Sequence, residues 1–291
     1  MSAQARAPRL HATLAMAGPQ ALAPVHDDDY DSLGTAGQDA QRRSAYRARS
    51  DRLRALAGVR LDLAYGQGPR QCLDYFPAPL PGPVLVFVGS VLWRYWSKED
   101  FAFLVRGPLA HGIHVALLSH TPVPRQTLSG VVDEVRLGLA WLGRHAGAFG
   151  GDGRRMLICG WSAGAHLAAL CLDEPGVVGG LAVSGIYDLE PLLHTHGNDD
   201  LALDVRDALR LSPQHRMPGL KPLVLACGEH EPLALRRQAA NFSNLRAHEN
   251  GTMLTVPGCD HFSILEELAD PAGTLMVHAR ALLATGSALA L

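Results

Sequence analysis

The stretch Arg155-Met156-Leu157-Ile158-Cys159-Gly160-Trp161-Ser162-Ala163-Gly164-Ala165-His166-Leu167-Ala168-Ala169-Leu170 decides the fold. Its first part is an apolar run of strand character, and its last part is an unbroken helix former. Between them Gly160 to Gly164 fits G-x-S-x-G, so strand passes to helix through a turn of five residues. A serine on so sharp a turn is pushed out above the sheet, and flanking glycines let strand and helix backbones pass closely. The helix start also aims free N–H groups and a positive dipole end at that serine. Ser162 is thus the candidate nucleophile, the competing role being an ordinary helix N-cap.

Working outward, strands and helices alternate. Val59–Tyr65 and Cys72–Phe76 read as a short antiparallel pair joined by a GQGPR turn. Upstream of Ser162 stand PVLVFVG from Pro83, a helix from about Lys98, and IHVALLSH. Val132, Val135, Leu139 and Leu142 share one helix face. Downstream come the strand LAVSGIY, a helical insert near residues 188–212, the strand PLVLACG, a further helix, the strand TMLTVP and a final helical stretch. Strands separated by helices of ten or more residues imply right-handed crossovers and a mostly parallel sheet, with chemistry at the carboxyl ends of the strands. The expected fold is α/β with a mostly parallel central sheet flanked by helices, one domain over 28–291 behind a loose arm at 1–27. The insert would act as a small lid. Asp27, Asp28, Asp29 and Asp31 would form a solvated turn before an Arg- and Ala-rich helix running to about Leu56.

His261 lies just past the last strand, and of the 14 histidines it alone stands there in the chain order serine, acid, base. A neutral imidazole takes the serine proton and later returns it to the leaving group. The acid is expected after PLVLACG, where Glu229 and Glu231 both qualify; Asp188 follows an earlier strand and suits a helix cap better.

Several function classes are excluded or disfavoured. A net charge of -2 lacks the basic excess of a nucleic-acid partner. No uninterrupted apolar run reaches membrane-span length, and the N-terminal stretch is too broken by polar residues for a secretory signal. Five cysteines without metal or redox spacing read as reduced thiols, which points to the cytoplasm. His194-Thr195-His196 has no carboxylate or cysteine at ligand spacing, so no metal is expected and the segment reads as lid loop. The chemistry described needs no cofactor.

YGQGPRQCLDYF, FVGSVLWR, GWSAGAHLAAL, SGIYDLEPL, LSP, GEHEPLALRRQ and DHFSILEEL together resemble the arylformamidase (kynurenine formamidase)-like branch of the α/β-hydrolases, close to the hormone-sensitive-lipase-type esterases. The resemblance covers roughly residues 28 to 275. It implies the α/β-hydrolase fold and amide or ester hydrolysis by a triad of Ser162, His261 and an acid. Relatives place that acid seven residues before a Gln, which with Gln238 selects Glu231. N-formylkynurenine is the substrate the resemblance suggests, with a homodimer as an option. Relatives also carry H-G-G-x-W where this chain has Gly89-Ser90-Val91-Leu92-Trp93. The oxyanion donors implied are the backbone N–H groups of Ser90, Val91 and Ala163, although a β-branched Val does not readily take the conformations glycine allows. Trp93, Trp161 and Tyr95 offer either an aromatic wall for a planar substrate or core packing. The alternatives to an arylformamidase are a short-chain carboxylesterase and a hydrolase fold kept for ligand binding.

Overall fold

The computed structural model describes residues 36–216, 221–246 and 251–286. The expected arm at 1–27 and the aspartates at 27–31 lie outside them.

Eight strands form one sheet: β1 (Arg60–Ala64), β2 (Cys72–Phe76), β3 (Gly82–Ser90), β4 (His114–Leu118), β5 (Gly151–Ser162), β6 (Val177–Val183), β7 (Leu223–Gly228) and β8 (Gly251–Val256). Their spatial order is β1-β2-β4-β3-β5-β6-β7-β8. β1 and β2 are antiparallel to their neighbours, and every pairing from β4 to β8 is parallel. The central strands are apolar on both faces because both are covered. Val84, Val86 and Val88 of β3 point into one core, with α2 (Leu128–His145), α3 (Ala163–Leu170), α4 (Val205–Leu211) and α5 (Leu233–Arg246). Leu85 and Phe87 point into the other, with Tyr46 of α1 (Ala36–Arg54) and Leu275, Met276 and Ala279 of α6 (Thr274–Gly286). The period-2 alternation of one strand therefore feeds two hydrophobic cores.

The structure corrects two expectations of the sequence reading. The segment from Lys98 is no continuous helix but two 3-10 turns, Lys98–Asp100 and Ala102–Val105, and one α turn, Arg106–Leu109. Ala102 to Val105, Gly107 and Pro108 are all buried, so the segment has no polar face to organise an amphipathic helix. A Cβ on Gly107 would collide with the Leu268 carbonyl, which shows how closely the backbones pass. Likewise the strand read as LAVSGIY ends at Val183, because Ser184 takes φ 57° and turns the chain away.

The insert begins with the 3-10 turn Glu190–His194, makes one helical turn at Asn198–Leu201 and ends in α4. The N-cap of that turn is Leu189 rather than Asp188, which stands one residue before it and accepts the Glu190 N–H at 3.0 Å. An ion pair from Asp200 to Arg94 ties the insert to the turn after β3.

Candidate active site

Ser162 ends β5 and stands at the N-cap of α3 with φ 56° and ψ −125°. A non-glycine residue pays for such a conformation, on the order of 1–3 kcal/mol, and the surroundings must impose it. They do so through the two glycines of the motif. A Cβ on Gly160 would strike the Gly164 carbonyl, and one on Gly164 would strike the Val88 carbonyl of the neighbouring strand. The turn is sharp because β5, α3 and β3 all pass through it at backbone contact.

Three side chains far apart in sequence meet there. The Ser162 hydroxyl lies 3.1 Å from His261 Nε2, and His261 Nδ1 lies 3.3 Å from Glu231 Oε2. Glu231 Oε1 accepts the Gly228 N–H at 2.8 Å and the Ser184 hydroxyl. Glu231 is 5% exposed, whereas Glu229 is exposed and accepts the Gly258 N–H at 2.9 Å. The carboxylate beside His261 is therefore Glu231. Gln238, seven residues on, takes the Tyr187 and Asp188 N–H groups on its Oε1, both at 2.7 Å, which pins the loop after β6. An imidazole between a hydroxyl and a buried carboxylate can accept the hydroxyl proton and be stabilised as imidazolium.

The turn after β3 departs from the sequence expectation. Val91 N–H donates to the Tyr95 carbonyl at 3.1 Å, so it is not available to an oxyanion. Tyr95 N–H returns to the Val91 carbonyl at 3.0 Å, and the left-handed residues are Leu92 and Trp93 rather than Val91. Ser90 stands in register with Ser162 across β3 and β5, and Ala163 opens α3. At Gly89 a side chain would strike the Phe101 ring, which stands 2.4 Å from where a Cβ would lie.

Trp93 and Trp161 present no face to a substrate, since both are fully buried. Trp161 Nε1 donates to the His261 carbonyl at 2.7 Å, and its ring lies 4.8 Å from the imidazole. Trp93 Nε1 donates to His166 Nδ1 at 3.3 Å, while His166 Nε2 bonds the Leu211 carbonyl at 2.8 Å. Of the three aromatics only Tyr95, 48% exposed, reaches the surface. Sequence reasoning missed His166, although its place one helical turn after Ser162 marks a residue facing the same loops.

Burial pushes His166 down to about 4 from its ordinary 6.5. Its two hydrogen bonds fit a neutral ring, one nitrogen accepting and the other donating. Between those two pH values the unfolded chain binds a proton the folded one refuses, so stability falls as pH drops from about 6.5 to 4. His114 and His120, also held down by burial, add to the same slope. Melting temperature against pH should decline through this window, and more shallowly in His166→Asn; an equal slope in both would refute the assignment.

α1 clamps the His261 loop from outside. Arg42 binds Asp260 with two hydrogen bonds of 2.9 and 2.7 Å, and the Tyr46 hydroxyl donates to the Phe262 carbonyl at 3.0 Å. Arg49 grips Glu266 farther along. The Arg42 pair holds the Asp260 carboxyl well below the usual range. Both side chains are more than a third exposed, so the pair contributes at most about 1 kcal/mol to stability. Arg42→Leu should nevertheless reduce kcat roughly tenfold, since small displacements of a reacting group are costly. Turnover measured beside a denaturation curve checks this; a stability loss without a rate loss would reduce the clamp to simple packing.

The fold and its elbow serine define an α/β-hydrolase. The comparisons with known proteins narrow this. The BD-FAE family model matches residues 78–173. Kynurenine formamidase from Salmo salar is 32% identical over 248 residues, covering 78% of this chain and 83% of that protein. The Danio rerio kynurenine formamidase is 28% identical over the same shares. A crystal structure from Silicibacter sp. TM1040, provisionally assigned as a thioesterase, superposes with a TM-score of 0.78 at 27% identity, over 86% of this chain and 97% of that one. The chain belongs to the kynurenine formamidase family of α/β-hydrolases, and it is a hydrolase. Among the described residues no helix is long and apolar enough to cross a membrane.

Proposed function

We propose that this protein hydrolyses aryl formamides of the N-formylkynurenine type by acyl transfer. The observation that carries the reading is the line of contacts from Ser162 through His261 to Glu231. Ser162 attacks the formyl carbon, and His261 accepts the hydroxyl proton. The oxyanion is held by the Ala163 N–H at the start of α3 and the Ser90 N–H at the end of β3, whose register partner on β5 is Ser162. His261 then passes the proton to the leaving amine as the C–N bond breaks. Water, deprotonated by His261, cleaves the formyl ester and releases formate. The formamidase names of two relatives matched over most of their length support this substrate class.

The test follows N-formylkynurenine hydrolysis by absorbance, with p-nitrophenyl acetate alongside. Turnover of the formamide that depends on Ser162 is the expected result. Ser162-dependent cleavage of the ester alone would overturn the formamide assignment in favour of a carboxylesterase. No turnover of either would favour the ligand-binding alternative.

A further inference from the structure

The loop after β6 carries a hydroxyl to which the acyl-transfer steps assign no task. Ser184 follows Val183, the last residue of β6, and is 1% exposed. Its φ of 57° is left-handed, a conformation that a residue with a side chain holds at a cost on the order of 1–3 kcal/mol. The surroundings impose it from two sides. The Ser184 N–H donates to the Ala226 carbonyl of β7 at 2.7 Å, while Gln238 of α5 takes the Tyr187 and Asp188 N–H groups a few residues on. Gly185 between them leaves room for the Tyr187 ring, which stands 2.5 Å from where a Cβ would lie.

This strained turn sends the hydroxyl to the carboxylate beside His261. The Ser184 hydroxyl donates to Glu231 Oε1, which also accepts the Gly228 N–H at 2.8 Å, while Oε2 lies 3.3 Å from His261 Nδ1. An ionised carboxylate only accepts, so the hydroxyl is the donor. The Glu231 side chain is fully buried, and a buried carboxylate is costly unless its oxygens are hydrogen-bonded. Ser184 and Gly228 supply those bonds at Oε1. With one oxygen held from two directions, the carboxylate plane cannot turn freely, and Oε2 is left to the imidazole. Bonds of this kind, to an ionised acceptor, are the strong ones.

We infer that Ser184 is a positioning residue of the active site: by holding Oε1 it aims Oε2 at His261 Nδ1 and so keeps Nε2 turned to Ser162. The inference rests on the reading of Ser162, His261 and Glu231 as the machinery of acyl transfer, but not on the formamide as substrate. A merely structural turn would make a different demand. It needs a residue tolerant of left-handed φ, and glycine meets that need better than serine. Positioning needs the hydroxyl, which neither glycine nor alanine has.

The experiment compares Ser184→Ala and Ser184→Gly with wild type on N-formylkynurenine and p-nitrophenyl acetate, and by the rate at which a phosphonate ester labels Ser162. Both variants should lose roughly tenfold in kcat, the worth of a hydrogen bond to a charged group, with KM changed less than about twofold. The same loss should appear on every substrate that wild type turns over and in labelling, because the contacts to substrate are untouched. Ser184→Gly should lose this activity even though its denaturant midpoint equals or exceeds that of Ser184→Ala, since glycine takes the left-handed backbone without strain. In a Glu231→Ala background, Ser184→Ala should slow labelling by less than about twofold more, because the group it positions is gone. Wild-type kcat in Ser184→Gly, a loss confined to KM, or an equal Ser184→Ala loss with and without Glu231 would overturn the positioning role. A tenfold loss on the ester, with the formamide untouched by wild type, would overturn the formamidase assignment and leave that role standing. A wild type that neither turns over nor is labelled would overturn both.

Discussion

Ser162→Ala is expected to lower kcat by about a millionfold, the scale seen when such a nucleophile is removed, while the protein remains folded. The loss is that large because the three residues would act as a unit: without the hydroxyl, the imidazole held by Glu231 has nothing to deprotonate. Only binding and the N–H groups at Ser90 and Ala163 would remain. Stability should change little, since alanine keeps the same Cβ in the same left-handed backbone and forfeits one hydrogen bond, about 1 kcal/mol. Active-site titration with a phosphonate ester gives an independent reading: wild type should be labelled stoichiometrically and the variant not at all. Residual activity of a few per cent, in protein free of wild-type contamination, would remove Ser162 from the role of nucleophile.

The second large effect separates two neighbouring glutamates. Glu231→Ala should lower kcat by about 10³- to 10⁴-fold, whereas Glu229→Ala should cost less than about threefold. On the proposed mechanism Glu231, whose side chain is fully buried, would hold the imidazole in the tautomer that leaves Nε2 free to accept. Its removal also strands the Ser184 hydroxyl and the Gly228 N–H, costing about 1–3 kcal/mol for each buried group left unpaired. Glu229 holds only the Gly258 N–H at the surface. Steady-state kinetics of both variants, each with a denaturant midpoint, decide the matter. Similar kcat losses in the two would mean that the carboxylate at His261 does not orient it.

Much of this was legible in the sequence. The apolar runs of β3, β5 and β7 announce strands buried on both faces, and G-x-S-x-G between strand and helix announces the elbow. Chain order picks His261 out of 14 histidines. Spacing alone left Glu229 and Glu231 level, because which side chain turns inward depends on the four-residue loop between β7 and α5. Val91 misled for a related reason. Hydrogen bonding within a five-residue turn is decided by backbone angles, and here the left-handed positions fall at Leu92 and Trp93. The two tryptophans misled because an aromatic beside a nucleophile is equally suited to wall or to strut. Only the positions of the His261 carbonyl and of His166 decide for strut. Asp260–Arg42 was invisible in principle, since no periodicity relates a helix to a loop 218 residues downstream.

That separation has a consequence for how the chain comes into being. During synthesis Arg42 and Arg49 of α1 emerge early and wait while all eight strands are laid down, for their partners at Asp260 and Glu266 are among the late residues to leave the ribosome. Contacts of such long range are slow to form and reward the chain only once everything between them is in place. The helix already has partners at Asp74, Asp100 and Phe103, but its contacts with the loop that carries the imidazole close only when that loop has been made. A nascent or nicked chain lacking residues 260–266 could build most of the sheet and present the elbow, yet have nothing to draw the proton from it.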